Sequence, residues 1–284
     1  MIPAAFDYVR ASSVDQALQA MAGGAKVLAG GQSLLPLLKM RLASAERLVD
    51  VGRLGELRGV RAIDEGRRVA IGALTTYADL LDDPILAHYG VFRDSLPNIG
   101  DVQVRNRGTI GGSIAHADPA SDMPAILLAL DAEIVVRSVR GERTIPIGGF
   151  FAGAFTTGLA HDELITEIRI PGGMPGFGSA YRSVEQPASG YSIAGVATVI
   201  GRFSGGSGPW DVVSVGVAGV GDHPYRAAGV EAALLAGASP AEAAAHATDG
   251  QIVASDIHAD REYRAAIAAI QVRRALEAAI ARAG

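Results

Sequence analysis

Residues 107–125 read RGTIGGSIAHADPASDMPA. They bring a glycine pair, hydroxyls and carboxylates to within a few residues of a helix start expected at 122–124. Glycine lets a backbone come close to a ligand and take positive φ, and exposed amides at such turns attract anions. The stretch is therefore a candidate phosphate cradle. Turn chemistry explains the same letters, since Gly-Gly followed by Asp-Pro is a common turn and Asp122 suits a helix N-cap. Taken alone, turn chemistry is the more economical reading.

A second stretch has the same form. Residues 25–29 read as a short strand running into Gly30 and Gly31, after which Ser33, Leu34, Leu35, Leu37 and Leu38 predict a short helix with Pro36 near its first turn. The two glycine turns, residues 29–34 and 109–113, each precede an expected helix. One amide-rich turn suits one phosphate, and two facing turns suit a pyrophosphate. A dinucleotide such as FAD would then be held without a Rossmann fold. Spacing alone does not settle this, because in a chain with 36 glycines other pairs of turns qualify equally.

Outward from these turns, Ser12 or Ser13 caps a helix bearing Val14, Ala17, Leu18 and Met21, and residues 47–51 form a strand. Residues 60–73 read as a hairpin turning at Asp64, Glu65 and Gly66, and Thr75 or Thr76 caps a helix through Leu81, with a second helical piece from Pro84. A helix from Asp122 through Leu130 and a hairpin around Gly141 follow. The run PGGMPGFG at 171–178 marks a linker and domain boundary. Beyond it, residues 179–184, 192–203 and 210–217 are successive strands, joined in part by a turn at 204–209, which favours an antiparallel sheet. Helices are expected at 226–235, 240–248 and 262–282, the last carrying one stripe of Tyr263, Ile267 and Ile270 and another of Val272, Leu276 and Ile280. The expected class is α+β.

The 284 residues carry no cysteine, so a disulfide or a cysteine-ligated cluster cannot belong to this chain. The opening lacks a signal-peptide profile and no apolar run approaches a membrane span, which makes a cytoplasmic location the default, peripheral contact with the inner membrane face being compatible with it. A net charge of -5 argues against nucleic acid as partner. There is no GxxxxGK[ST] loop and no GxSxG turn. Gly216, Gly219 and Gly221 imitate a dinucleotide fingerprint but lead into Asp-His-Pro rather than a helix, so they read as packing or turn residues. His116, Asp118 and Asp122 lack zinc-type spacing.

The strings LAGGQSLLP at 28–36 with KMR at 39–41, and RGTIGGS at 107–113 with Ala117-Asp118-Pro119 and Ser121-Asp122, resemble the two FAD-binding signatures of the medium subunits of molybdenum hydroxylases. That family includes xanthine dehydrogenase and aerobic carbon monoxide dehydrogenase. MIPAAFDY, QVRNRGTIGG and SDMPAI are most like the carbon monoxide dehydrogenase members, and the likeness runs the length of the chain.

The resemblance implies a vanillyl-alcohol-oxidase (PCMH-type) FAD-binding fold of two α/β subdomains, residues 1–57 and 58–174. A C-terminal α+β domain, residues 175–284, would follow, its antiparallel sheet packed with helices. It also implies that Ala29, Gly30, Gly31, Gln32, Ser33 and Leu34, with Thr109, Ile110, Gly111, Gly112 and Ser113, wrap the FAD pyrophosphate. Asp122 would bind sugar hydroxyls, the backbone near Leu164 would meet the flavin ring region, and Tyr191 would lie beside the isoalloxazine. Three positions depart from the family: Ser113 stands for the usual asparagine, Ser183 for a frequent lysine, and Gly190 for a frequent acid. The last two flank the expected ring and bear on its potential.

The implied function is electron transfer. A large subunit would hold the molybdenum-pterin cofactor and a small subunit the 2Fe-2S clusters, assembled with this chain as a dimer of heterotrimers. FAD here would pass electrons to an external acceptor, and no catalytic residue is required of this chain. Carbon monoxide, an N-heterocycle and an aldehyde all stay open as substrates. The rivals are a stand-alone flavin oxidoreductase, which would need an acid or base beside the ring, and a nucleotide-binding scaffold without redox activity.

Overall fold

The computed structural model describes residues 2–173, 175–203 and 209–284. Three sheets follow one another along the chain. In the first, β1 (Asp7–Arg10), β2 (Lys26–Leu28) and β3 (Arg47–Asp50) are parallel in the order β1-β3-β2. Parallel neighbours need crossovers, here α1 (Val14–Ala22) and α2 (Leu34–Met40). Ser13 caps α1 by accepting from the Gln16 N–H, and Val14, Ala17, Leu18 and Met21 form the buried face packed with Val49 and Leu57.

The second sheet contains β4 (Val60–Ile63), β5 (Arg68–Gly72), β6 (Glu133–Ser138) and β7 (Gly141–Pro146). After a small hairpin of β8 (Phe151–Gly153) and β9 (Thr156–Thr157), the chain returns as β10 (Leu164–Pro171) to the centre, giving the antiparallel order β4-β5-β10-β6-β7. Between β5 and β6 lie α3 (Tyr77–Asp82), α4 (Gly90–Ser95), α5 (Val102–Arg105), α6 (Ile110–His116) and α7 (Asp122–Ala129). Ile110, Ile114, Ile126 and Leu127 pack them onto Ile71, Ile134 and Ile168. Thr76 caps α3 in a capping box with Asp79.

The third sheet is antiparallel, as the successive strands predict: β11 (Phe177–Glu185), β12 (Ser192–Gly201), β13 (Val212–Ala218) and the short β14 (Tyr225–Arg226). One face meets α8 (Ala228–Leu235), α9 (Pro240–Ala243) and α10 (Arg261–Ala283), with Val272 and Leu276 of α10 fully buried against Val196 and Val215. The other face docks on the second sheet's helices. There Gly216 is obligatory, because a Cβ would lie 2.0 Å from the Ala125 carbonyl oxygen.

Several expectations change. Thr109 is an N-cap and Gly111 and Gly112 lie inside α6, so residues 109–113 are the first turn of a helix rather than a turn before one. Ser121, not Asp122, stands at the N-cap position of α7; Asp122 is already helical and its carboxylate points to other partners. The Pro84 piece is only a 3-10 turn at Leu86–His88, and the helix expected at 240–248 is α9 followed by a 3-10 turn, Ala244–His246. Of the two stripes on α10, Val272 and Leu276 carry the core while Tyr263 and Ile270 are exposed. In the expected linker, Gly172 is packed tightly, its N–H donating to the Arg67 carbonyl at 2.7 Å. The turn expected at 204–209 lies outside the described residues apart from Pro209.

Candidate cofactor site

The fold brings the two glycine-rich segments into backbone contact. A Cβ on Gly30 would lie 2.0 Å from the Arg107 carbonyl oxygen and 3.2 Å from the Gly108 Cα. The segments are not equivalent as anion sites. In α6 the amides are engaged: Ile110 N–H donates to Thr75, Gly111 to Ala73, Gly112 to Thr109 Oγ1 and Ser113 to the Thr109 carbonyl. By contrast, no backbone N–H of residues 30–34 finds an acceptor among the described residues. Gly31 sits at φ +76, and Gln32 folds back so that its Nε2 donates to the Gly30 carbonyl at 3.2 Å. Residues 30–34 are half-buried or exposed, so water can meet these donors in the absence of a ligand. With no protein acceptor among the described residues, they are the part of the site whose amides are free for an acceptor-rich ligand.

The Gly111-Gly112 pair divides by role. Gly111 is a packing residue, since a Cβ there would meet Ala73 Cβ at 2.6 Å. At Gly112 a Cβ would press on the capping Thr109 Oγ1 at 2.7 Å, but outside α6's own backbone it meets no other atom within 4 Å among the described residues, so its Cα face is open to a ligand. Ser113 Oγ and Ser121 Oγ lie 2.9 Å apart and tie α6 to the entry of α7.

Beside them a carboxylate is buried. Asp122 is 8% exposed, and its Oδ1 accepts from the Tyr181 hydroxyl and from Ser192 Oγ at 2.6 Å. Burial pushes its pKa up to about 6; the Ser192 and Tyr181 donors oppose that rise and Glu185 adds to it. Burial also raises Tyr77, with Asp122 and Tyr191 adding to the rise against a Ser113 hydrogen bond. Tyr191 is raised by burial and then by the charges of Asp118 and Asp122, yet 43% of it is exposed. An aromatic ring, hydroxyls and a buried carboxylate thus converge where β12 meets the start of α7.

Leu164 begins β10, its side chain buried with Leu57 and Leu74 in the core beneath the first sheet rather than beside Asp122. Ser183 Oγ donates to Glu185 at 3.1 Å, and Gly190 closes the β11–β12 turn at φ +73. Sequence reasoning missed Tyr181, Ser192 and Tyr77 and gave Ser121 no role beyond its place in the second signature; the signal was slight, single hydroxyls on the apolar strands β11 and β12 and at the start of α3. A cavity of about 850 Å³ lies at the far end of α7, lined by residues such as Leu130, Tyr89 and Arg226, and includes none of these groups. Among the described residues no cluster of His, Asp or Glu is placed to hold a metal ion, and no helix is long and apolar enough to cross a membrane.

Comparison with known proteins identifies the family. The family described as FAD binding domain in molybdopterin dehydrogenase matches residues 4–173. The carbon monoxide dehydrogenase medium chain of Hydrogenophaga pseudoflava is 40% identical over 290 residues, covering 99% of this chain and 99% of its own. The glyceraldehyde dehydrogenase medium chain of Sulfolobus acidocaldarius is 42% identical over 81% of each chain. A solved structure of the Hydrogenophaga pseudoflava carbon monoxide dehydrogenase, in a form lacking the Mo-pyranopterin moiety, superposes with a TM-score of 0.93 at 39% identity, covering 99% of both chains. The chain belongs to the family of FAD-binding medium subunits of molybdopterin dehydrogenases.

Proposed function

We propose that residues 30–34 and the Gly112 face of α6 hold the pyrophosphate of FAD, that Asp122 takes a sugar hydroxyl and that Tyr191 lies against the flavin ring. The observation that carries this is the row of amides at 30–34 without acceptors among the described residues, set by Gly30 against the backbone of Arg107 and Gly108. Those donors suit phosphate oxygens, and the bare Gly112 Cα allows close approach. When bound, FAD supplies reversible electron uptake that links one-electron iron–sulfur centres to an external acceptor. This chain's residues bind and orient; none is asked to act as acid, base or nucleophile. Leu164 contributes through its backbone at the start of β10.

In our reading residues 1–57 and 58–174 form the two walls of the FAD cleft and 175–284 a third unit. The chain works with a large molybdenum subunit and a small 2Fe-2S subunit, assembled as a dimer of heterotrimers. We favour a complex of the carbon monoxide dehydrogenase type, because that likeness combines 40% identity with 99% of the chain, against 36% for the nicotine 6-hydroxylase medium subunit. An aldehyde-oxidising complex is the second reading, supported by the 42% identity to the glyceraldehyde enzyme's medium chain. The visible spectrum of the purified chain tests the cofactor: a yellow protein inactive until its partner subunits are added is expected. A colourless protein that takes up no FAD on reconstitution would overturn the reading. Oxidation of carbon monoxide or of glyceraldehyde by the reconstituted complex separates the two substrates.

A further inference from the structure

Asp122 belongs to the FAD-binding segment, yet its carboxylate is held by the C-terminal sheet. Oδ1 accepts from Tyr181 of β11 and from Ser192 of β12, and these two hydroxyl oxygens are 3.3 Å apart. Oδ2 has no protein donor among the described residues. The sheet makes room for this arrangement at Gly195, where a Cβ would lie 2.0 Å from the Tyr181 hydroxyl oxygen and 3.0 Å from Ser192 Oγ. Tyr181 is fixed at its other end as well, its N–H donating to Asp94 at 3.1 Å, and Asp94 is clamped by Arg282 of α10. The titratable groups facing Asp122 are Tyr181 and Glu185 of β11, Tyr77 of α3 and Tyr191 beside β12, with Asp118 acting on Tyr191; no cation acts on Asp122 among the described residues.

Two donors on one oxygen fix the carboxylate plane and leave the other oxygen as the acceptor for a ligand. Resting on the FAD reading, we infer that Tyr181 and Ser192 are positioning residues that hold Asp122 Oδ1 so that Oδ2 is presented to a hydroxyl of FAD. Retention of the cofactor then depends on the C-terminal sheet, outside the segment 4–173 that matches the FAD-binding family. The C-terminal unit is a clamp on the cofactor site as well as a packing partner.

The test is an FAD titration of the full-length apoprotein, followed by flavin fluorescence between pH 5 and 8. Tyr181→Phe is expected to weaken FAD about tenfold at pH 8, the usual scale for losing a hydrogen bond to a charged group. It should also move the loss of FAD on acidification to higher pH, because a carboxylate with one donor fewer is protonated more easily. Ser192→Ala should act in the same direction. On an Asp122→Asn background Tyr181→Phe should add less than about twofold, since residues coupled in one network are non-additive. If Tyr181→Phe fails to fold by circular dichroism, Ser192→Ala, which leaves the Tyr181 ring in place, decides alone. Unchanged affinity and pH midpoint, or a Tyr181→Phe effect of equal size with and without Asp122, overturns the inference and leaves the FAD reading standing. A wild-type chain that binds no FAD overturns the reading beneath it.

Discussion

Gly30 and Arg107 meet backbone to backbone, with 2.0 Å between a Cβ built on Gly30 and the Arg107 carbonyl oxygen. This contact sets the loop that follows β2 against the chain entering α6. It explains why a glycine is needed at a position without positive φ: the requirement is the space between two chains, not a turn.

Gly30→Ala should therefore force the loops apart. Overpacking of this kind costs about 1–3 kcal/mol, and the displaced amides should also lose flavin. Urea denaturation together with the ratio of flavin to protein absorbance checks both effects. Wild-type values for both would show that the loops do not meet as described.

The glycine pair of α6 should separate by phenotype. Gly111→Ala places a methyl against Ala73 and is expected to lower stability by about 1–3 kcal/mol. Gly112→Asp presses its Cβ on the capping Thr109 Oγ1, 2.7 Å away, and sets a negative charge on the ligand-facing side, so the chain should lose about 1 kcal/mol with the cap but still fold and emerge colourless. Full flavin content in Gly112→Asp would remove α6 from the phosphate site.

Asp122 should make the apoprotein less stable as pH rises. Its folded pKa of about 6 lies above the unfolded value of 3.8, so between those values the folded state binds the extra proton. The associated stability is fully present below about pH 4 and is lost as pH rises through 6, about 3 kcal/mol for a two-unit shift. Asp122→Asn should abolish that slope and melt higher than wild type at pH 7.5 without FAD, while binding FAD more weakly. A variant that melts lower than wild type throughout would contradict the assignment.

Asp94 should matter for stability in the opposite sense. Burial raises its pKa, but Arg282, the Tyr181 N–H and Arg182 outweigh burial and hold it below the usual value. Its contribution is present above pH 4 and lost as pH falls below that. Asp94→Ala leaves the Arg282 and Arg182 guanidiniums without their shared partner, and a loss of about 3 kcal/mol at neutral pH is expected. Chemical denaturation at pH 7 and pH 3 measures the difference, which should shrink in acid.

Local rules made much of the fold legible. Ser13 and Thr76 cap helices, Gly66 and Gly141 close hairpins, and the three strands after residue 176 lie antiparallel. The errors arose where local rules compete with contacts distant in sequence. Gly-Gly at 111–112 reads as a turn because glycine is a poor helix former by about 1 kcal/mol each; Ala73, far away in sequence, is what excludes a side chain there. Asp122 reads as an N-cap because aspartate before an apolar run usually is one. Its true partners, Tyr181 and Ser192, are 59 and 70 residues away.

The sequence by itself determined most of the helices, two hairpins, the antiparallel C-terminal sheet, the absence of any cysteine-bound centre and the two signatures that mark the family, but not β1 or the central strand β10. Their information is local, carried by caps, periodicity and turns within a few residues. Only the tertiary structure decided which donors remain for a ligand. Residues 30–34 keep theirs because no acceptor among the described residues comes within reach, while α6 gives its amides to Ala73, Thr75 and Thr109. Only the tertiary structure, likewise, placed the third sheet on Asp122. A hydrogen bond is made by proximity and direction, and neither is fixed until the units pack together.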